Sequence, residues 1–220
     1  MNFYKQRKQV VENLTKLGYI KSTSVKKAML KIKREDFVPK EYLDSAYADT
    51  PLPIPGGVTI SAPHMHAIFL EALELKPRQK VLEVGAGSGI LLAYIKEIVG
   101  KEGKVYGVEI LPIAYEFAME NLKKTGYDKK VKLILGDGSL GLPKFAPFDK
   151  ILSSASSPQE LPQPWIEQLK LDGSIITPVG PEFGNQTLNL IKKTKSGRIF
   201  RKSLYDVIFV TLKGKYGWKF

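Results

Sequence analysis

The stretch Lys80-Val-Leu-Glu-Val-Gly-Ala-Gly-Ser-Gly-Ile-Leu-Leu-Ala-Tyr94 predicts the fold of this chain. Its apolar start is typical of a strand that is buried on both faces, and an amphipathic helical pattern begins directly behind Gly85, Gly87 and Gly89. Glycine lacks a Cβ atom, so the backbone can turn tightly there or touch a ligand. A strand, a glycine-rich turn and a helix N-terminus form the usual geometry for holding a nucleotide-like cofactor.

The spacing of the glycines indicates a class of cofactor. A dinucleotide-binding turn follows the pattern G-x-G-x-x-G, which requires glycine at position 90, where this chain has Ile90. A nicotinamide dehydrogenase is therefore disfavoured. The pattern here is G-x-G-x-G after the acidic Glu83, which resembles motif I of the methyltransferases that use S-adenosyl-L-methionine (SAM). Taken alone, the motif is also compatible with a tight turn that binds no ligand.

The composition excludes several classes of protein. With 220 residues, of which 43% are hydrophobic and 25% charged, the chain has the composition of an ordinary globular protein. It contains no cysteine, which excludes a disulfide framework, a thiolate metal site and a thiol nucleophile. The sequence shows neither a signal peptide nor an apolar run of membrane-spanning length, so we expect a cytoplasmic protein without membrane contact.

The formal net charge of +12 is compatible with nucleic-acid binding. The lysines, however, are spread along the whole chain, and such a field would equally steer an acidic peptide toward the protein. Charge alone therefore does not identify the partner.

Apolar periodicity predicts two N-terminal helices, over residues 4–17 and 25–32. The proline-rich stretch Tyr47–Gly57 can be neither an interior helix nor a central strand, because its prolines lack N–H donors. A long ordered loop of this kind is usually functional. Another helical pattern, over residues 65–73, separates this loop from the glycine stretch.

Strand and helix patterns alternate beyond the N-terminal region. Strands are predicted at residues 81–84, 104–108, 131–135, 148–152 and 174–179. This order predicts an α/β fold with a mostly parallel, doubly wound sheet and extra N-terminal helices. The resemblance to motif I implies that it is the Rossmann-like fold of the SAM-dependent methyltransferases. Residues 187–194 and 198–212 resemble a hairpin that forms an antiparallel C-terminal edge. We expect a single domain with helices and a loop at 1–60, a core at 61–180 and a hairpin extension at 181–220.

Three acidic residues are predicted at the carboxyl ends of neighbouring strands, namely Glu83, Glu109 and Asp137. In open parallel sheets, ligands bind outside those ends. Glu109 lies about 20 residues after the last glycine, near the spacing at which an acidic side chain binds both hydroxyls of a ribose. Asp137 is placed to accept a hydrogen bond from an adenine amino group. Acidic groups would also attract the positive sulfonium of SAM.

Both histidines of the chain, His64 and His66, belong to the same short segment, Thr59–His66. At positions i and i+2 they do not share a helix face. No cysteine or acidic cluster accompanies them, so we expect no metal site. A purely structural role remains an alternative for either histidine.

Several blocks of the sequence resemble the protein-L-isoaspartate O-methyltransferase family. They are Arg34-Glu-Asp-Phe-Val-Pro39, Ala46–Leu52, Thr59-Ile-Ser-Ala-Pro-His-Met-His-Ala67, Leu82–Ile90, Gly136-Asp-Gly138, Pro178–Pro181 and Gly184–Gln186. The resemblance covers residues 25–212, and the third block is its most specific part. It implies methyl transfer from SAM, with S-adenosyl-L-homocysteine (SAH) as product. The acceptor would be the free carboxylate of L-isoaspartyl or D-aspartyl residues in damaged proteins and peptides, without a nucleic-acid partner. The oligomeric state stays open.

The resemblance also implies roles for individual residues. The family's active-site serine falls on Ser61. Its substrate contacts fall on Asp49, Leu52, Ile54 and His64. Its cofactor contacts fall on Val58, Thr59, Ile60, Ser61, His66, Glu83, Gly85, Gly87, Gly89, Glu109, Ile110, Asp137 and Gly138.

We expect Ser61 to orient the acceptor carboxylate and not to attack as a nucleophile. A carboxylate with a pKa of about 4 in solution is already ionised at neutral pH, so no strong general base is required. The barrier falls through alignment of the reacting atoms and removal of water from the acceptor. The alternative is that Ser61 merely caps the helix that begins near Pro63.

Two other functions remain open at this point. The main alternative is an RNA or DNA methyltransferase. Against it, Ser153–Pro158 lacks the Asn/Asp-Pro-Pro-aromatic motif of adenine-N6 enzymes, and the chain lacks the cysteine of cytosine-C5 enzymes. The second is a binding protein with a vestigial SAM site. The chain departs from the family pattern at Ser139, Ser153–Ser157 and Lys213, which leaves its peptide specificity open.

Overall fold

The computed structural model describes residues 2–219, and two helices begin that range. α1 spans Phe3–Lys16 and α2 spans Thr23–Lys31, which confirms both N-terminal helix predictions. Ser22 is the N-cap of α2, and its hydroxyl accepts a hydrogen bond from the backbone N–H of Val25 at 3.3 Å. The apolar faces of both helices are buried in the larger of two hydrophobic cores.

The proline-rich stretch contains a small hairpin that we did not predict from the sequence. β1 (Leu52–Ile54) pairs antiparallel with β2 (Val58–Ile60), and this sheet is separate from the main one. Its prolines cannot donate to a strand ladder, which is why the stretch stays outside the main sheet. α3 (Pro63–Leu73) follows, with its proline in the first turn.

The main sheet has seven strands. The remaining elements in chain order are β3 (Lys80–Val84), α4 (Ile90–Val99), β4 (Lys104–Glu109), α5 (Pro112–Thr125), β5 (Lys132–Leu135), β6 (Phe148–Ser153), α6 (Gln163–Gln168), β7 (Leu169–Val179), β8 (Gln186–Lys193) and β9 (Ile199–Val207). The spatial order is β5-β4-β3-β6-β7-β8-β9. The first five strands of this order, β5, β4, β3, β6 and β7, are parallel to one another. β8 is antiparallel to β7, and β9 is antiparallel to β8. The predicted α/β fold with an antiparallel C-terminal edge is confirmed.

The strand order reverses next to β3, and this reversal positions the site. From β3 the chain moves outward through β4 to β5 and then returns to β6 on the other side of β3. Such a reversal leaves a crevice outside the carboxyl ends of the strands. Val84 pairs with Val108, and the N–H of Gly85 donates to the carbonyl of Val108 at 2.9 Å. The ends of β3 and β4 therefore lie side by side.

Two strand boundaries differ from the predictions by five residues. β7 begins at Leu169, before the predicted start at Ser174, because Leu169 pairs with Phe148 at a register shift in β6. β9 ends at Val207, before the predicted residue 212. The chain beyond it crosses the end of β6, where Ser156 bonds to the backbone of Val210 and Leu212 at 2.7 and 2.8 Å.

Within residues 2–219, no helix is both long enough and apolar enough to cross a bilayer. Across the same range, no three or more His, Asp and Glu side chains are grouped so that they could hold a metal ion. The single domain with parts at 1–60, 61–180 and 181–220 stays a prediction.

Candidate active site

A cavity of about 470 Å³ opens at the carboxyl ends of β3 and β4. The glycine turn forms one side of it. The opposite walls, which the sequence did not predict, come from the loop around Phe183 and from residues 208–213. Among the expected cofactor contacts, the cavity is lined by Val58, Thr59, Gly85, Gly87, Glu109, Ile110 and Gly138.

A much smaller recess adjoins this cavity. Among its lining residues are Ile60, Ser61, His66 and Glu83, which include the expected catalytic serine. The two spaces are neighbours, because both are lined by Thr59, Gly85, Gly87 and Ser154. Of the expected catalytic and cofactor residues, Gly89 and Asp137 line neither space.

The glycine turn adopts conformations that favour glycine. The φ angle is 76° at Gly85, 53° at Gly87 and 82° at Gly89, all in the left-handed region. Gly89 is the N-cap of α4, so it shapes the turn without reaching the cavity. Gly138 is needed for a steric reason, since a Cβ atom there would lie 2.5 Å from Cγ1 of Val84.

Glu109 is held firmly at the end of β4. Its Oε1 accepts hydrogen bonds from the N–H groups of Ile110 and Leu111 at 2.9 and 3.0 Å. Its Oε2 accepts from the N–H of Gly87 at 2.9 Å, which ties β4 to the glycine turn. A carboxylate has about four acceptor sites, so one site on Oε2 remains for a hydroxyl group of the ribose type.

Glu83, at the end of β3, is in a different state. It is 1% exposed, and its Oε2 has no hydrogen-bond partner among residues 2–219. Burial, and to a lesser extent the charge of Glu109, raise the pKa of Glu83 well above its usual value. A buried carboxyl group with a free oxygen fits a cationic ligand group such as an ammonium. The residues of the recess therefore fit the amino-acid end of SAM.

Asp137 is turned away from both spaces. Its Oδ1 accepts hydrogen bonds from the N–H and hydroxyl of Ser139 at 2.8 and 2.6 Å, and its Oδ2 accepts from the N–H of Lys215 at 2.8 Å. These bonds join the end of β5 to the C-terminal segment. The neighbouring Gly138 reaches the cavity instead, so a contact of Asp137 with adenine stays a prediction.

Ser61 is not the cap of α3. The N-cap is Ala62, and no side chain makes a capping hydrogen bond there, so the capping alternative is wrong. The Ser61 hydroxyl forms no hydrogen bond with another of residues 2–219, and the residue lines the recess. It is therefore available to a ligand.

The expected substrate residues fall into two pairs. Asp49 and His64 are partly exposed and bonded to each other, with Asp49 Oδ1 2.9 Å from both the backbone nitrogen and Nδ1 of His64. Leu52 and Ile54 are each 5% exposed, because the alternation of β1 directs them into the core and Pro53 outward. The structure does not bring Leu52 and Ile54 to the cavity, and a substrate contact for them stays a prediction.

The sequence analysis missed a buried polar layer next to the recess, made of Arg7, Arg34, Glu35 and Tyr47. Arg34 is 1% exposed, and its Nη1 lies 3.3 Å from Nδ1 of His66. Beside it, Arg7 pairs with Glu35 at 3.4 Å, and Glu35 also accepts a hydrogen bond from the Tyr47 hydroxyl. Arg34, Glu35 and Tyr47 belong to the family-like blocks, but arginine is rarely fully buried, so nothing in the sequence indicates that these side chains form a buried layer.

Comparison of the sequence with known proteins gives a consistent result. The sequence model of the protein-L-isoaspartate(D-aspartate) O-methyltransferase family matches residues 5–217. The protein-L-isoaspartate O-methyltransferase of Methanopyrus kandleri is 48% identical over 217 residues, which cover 99% of this chain and 95% of the relative. That of Methanothermobacter thermautotrophicus is 45% identical and covers 98% of both chains.

Solved structures agree with the sequence comparison. A crystal structure of a protein-L-isoaspartate O-methyltransferase from Plasmodium falciparum, in complex with SAH, matches with a TM-score of 0.84 at 33% identity. The match covers 94% of this chain and 98% of the other. A matching fold, a matching sequence over nearly the full length and a cavity at the expected strand ends lead to one conclusion. This chain belongs to the protein-L-isoaspartate (D-aspartate) O-methyltransferase family.

Proposed function

We propose that this chain transfers a methyl group from SAM to the free carboxylate of L-isoaspartyl or D-aspartyl residues, as a step in the repair of damaged proteins. The observation that carries the proposal is that Ser61, Glu83 and the glycine turn surround one recess in a chain of this family. Relatives that match almost the whole chain are named for the isoaspartate reaction, which disfavours an RNA or DNA methyltransferase.

The sheet edge would hold the cofactor. SAM, when bound, supplies an activated methyl group on a positively charged sulfur. Glu109, kept in place by three backbone N–H groups, would accept a hydrogen bond from a ribose hydroxyl at its remaining acceptor site. Glu83, with one free oxygen, would pair with the ammonium group. The left-handed turn at Gly85 and Gly87 would let the backbone approach the ligand closely.

Ser61 would hold the methyl acceptor. Its hydroxyl donates one hydrogen bond to the substrate carboxylate and leaves the other carboxylate oxygen free to face the methyl group. Because the acceptor is ionised at neutral pH, the site needs no general base to activate it. The walls around Phe183 and residues 208–213 would shield the acceptor from water, which strengthens it as a nucleophile.

Two features of the proposal concern the surroundings of the reaction. Isoaspartyl proteins and peptides are the proposed partners, and the positive net charge of +12 would steer acidic segments toward the site. A cytoplasmic location is part of the proposal, and the absence of cysteine is compatible with a reducing compartment.

The test is methyl transfer from radiolabelled SAM to two peptides that differ in one linkage. One peptide carries an L-isoaspartyl residue, and its twin carries a normal aspartyl residue at the same position. We expect base-labile label, as a methyl ester gives, on the isoaspartyl peptide alone. Label on both peptides would contradict the proposed specificity, and label in added tRNA would favour the nucleic-acid alternative.

A further inference from the structure

Arg34 is a buried cation that the proposed mechanism does not use. It is 1% exposed, and it forms no ion pair with an acidic side chain of residues 2–219. Its Nε donates to the carbonyl of Ala46 at 2.7 Å, whereas its Nη2 has no partner in the same range. Burying a charge without a counter-charge is costly, so the position of Arg34 requires an explanation.

The contact between Arg34 and His66 determines where the histidine carries its proton. Burial lowers the pKa of Arg34 to about 10, so the guanidinium remains protonated at neutral pH. A guanidinium can only donate hydrogen bonds. Its Nη1 lies 3.3 Å from Nδ1 of His66, and Nδ1 must therefore be the acceptor. The neutral ring then carries its proton on Nε2.

The other neighbours of His66 also favour a neutral ring. The residue is 2% exposed, and burial, the charge of Arg34 and the proximity of His64 lower the pKa of His66 well below its usual value. Its ring packs edge-on against Tyr94, with centroids 5.8 Å apart, and burial raises the pKa of that tyrosine to about 12. Glu83 lines the same recess as His66, but no hydrogen bond joins the two side chains.

We propose that Arg34 is a positioning residue, which fixes His66 in the Nε2–H tautomer so that the ring presents a donor to the carboxylate of the amino-acid end of SAM. Glu83 presents an acceptor in the same recess. One donor and one acceptor match the carboxylate and the ammonium of an amino acid. The identity of the ligand rests on the proposed function, whereas the tautomer does not.

The tautomer is measured directly by nitrogen NMR of the histidine rings in the ligand-free protein. The chain has only two histidines, so the His64→Gln variant assigns the spectrum. We expect the wild-type His66 ring to show a protonated Nε2 and an unprotonated Nδ1. A ring protonated on Nδ1, or on both nitrogens, at neutral pH overturns the proposal, even if every Arg34 variant fails to fold.

The consequence for binding is measured with two ligands that share the thioadenosine part but differ in the group attached to the sulfur. SAH carries the amino-acid group, and 5′-methylthioadenosine lacks it. We expect Arg34→Met to give a mixture of His66 tautomers and to weaken SAH binding by about tenfold or more, with an unchanged Kd for 5′-methylthioadenosine.

Arg7→Met is the matched control. Arg7 is 7% exposed and belongs to the same polar layer, but its partners are Glu35 and Tyr47 and not His66. We expect this variant to lose stability while it keeps the wild-type tautomer and the preference for SAH over 5′-methylthioadenosine.

Equal weakening of the binding of both ligands by Arg34→Met, or SAH binding that stays at the wild-type level, contradicts the proposal. Failure of isoaspartyl methylation with a normal tautomer would contradict only the proposed function.

Discussion

The two sides of the active site are constructed differently. On the sheet side, Glu83 and Glu109 lie at the ends of β3 and β4, and the glycine turn follows β3. Hydrogen bonds with the backbone hold Glu109 and the turn. On the other side, the segment 59–66 is held by side chains that are distant in sequence, such as Asp49 and Arg34. The difference teaches that the cofactor contacts at the strand ends are encoded locally. The segment that would hold the acceptor and the amino-acid end of the cofactor depends on tertiary contacts.

The sheet side itself contains a contrast between two carboxylates. Glu109 accepts three backbone hydrogen bonds, so its charge is stabilised before any ligand arrives. Glu83 is buried with a free oxygen, and burial raises its pKa. Substitutions can test whether the two sides, and these two carboxylates, act as separately as the structure indicates.

The largest effect is expected for Glu109→Ala. The variant loses the acceptor for a ribose hydroxyl and leaves the N–H groups of Gly87, Ile110 and Leu111 without their partner. The ligand loses a hydrogen bond to a charged group and the glycine turn loses its anchor, so the Kd for SAH should rise about 100-fold or more in titration calorimetry. The exposed Glu102→Ala is the control. A Kd close to that of wild type would show that Glu109 does not contact the ligand.

Ser61→Ala should separate the two sides of the site. We expect kcat for an isoaspartyl peptide to fall by about 10- to 100-fold, because the acceptor loses one orienting hydrogen bond. The Kd for SAH should stay within about twofold of wild type, since no capping bond or protein contact of the hydroxyl is lost. Ser196→Ala, in the exposed β8–β9 turn, is the control. Undiminished turnover would remove Ser61 from the mechanism.

Glu83→Gln should have opposite effects on stability and on binding. The folded pKa of Glu83 is raised, so the ligand-free wild type loses stability as the pH rises from about 4.3, the unfolded value, through the folded value. Glutamine has no such penalty. The variant should therefore be more stable than wild type at neutral pH, while it binds SAH more weakly.

Thermal unfolding between pH 4 and pH 8 provides the measurement, with Glu109→Gln as its matched partner. Glu109 stabilises three N–H groups, so its glutamine variant should be less stable than wild type at neutral pH. If both variants shift stability in the same direction, the contrast between the two carboxylates is wrong.

The smallest effect is expected for Asp49→Asn. The pair of Asp49 and His64 is partly exposed, with 40% and 31% of the side chains accessible, so it should change stability by less than about 1 kcal/mol. SAH binding should not change, whereas KM for the isoaspartyl peptide should rise modestly if the pair borders the substrate. A large loss of SAH affinity would show that the pair of Asp49 and His64 supports the cofactor and not only the acceptor.

The same contrast explains what could be predicted from the sequence. The strand ends and the glycine turn were predicted because a buried apolar run followed by glycines is a local signal. The roles of Leu52 and Ile54 could not be read locally, since the hairpin that buries them forms from a proline-rich stretch. Arg34 was missed because its partners, Ala46 and His66, lie 12 and 32 residues away.

The free oxygen of Glu83 also has a consequence for the proton balance of the enzyme. Because a cation favours the ionised form of a neighbouring carboxyl group, a ligand that places an ammonium there lowers the pKa of Glu83. At a pH where the ligand-free protein keeps this carboxyl group protonated, binding releases the proton. The heat of SAH binding should therefore vary with the ionisation enthalpy of the buffer. SAM and SAH carry the same ammonium, so the proton would leave when the cofactor enters and return when the product departs. Methyl transfer itself would leave this proton unmoved.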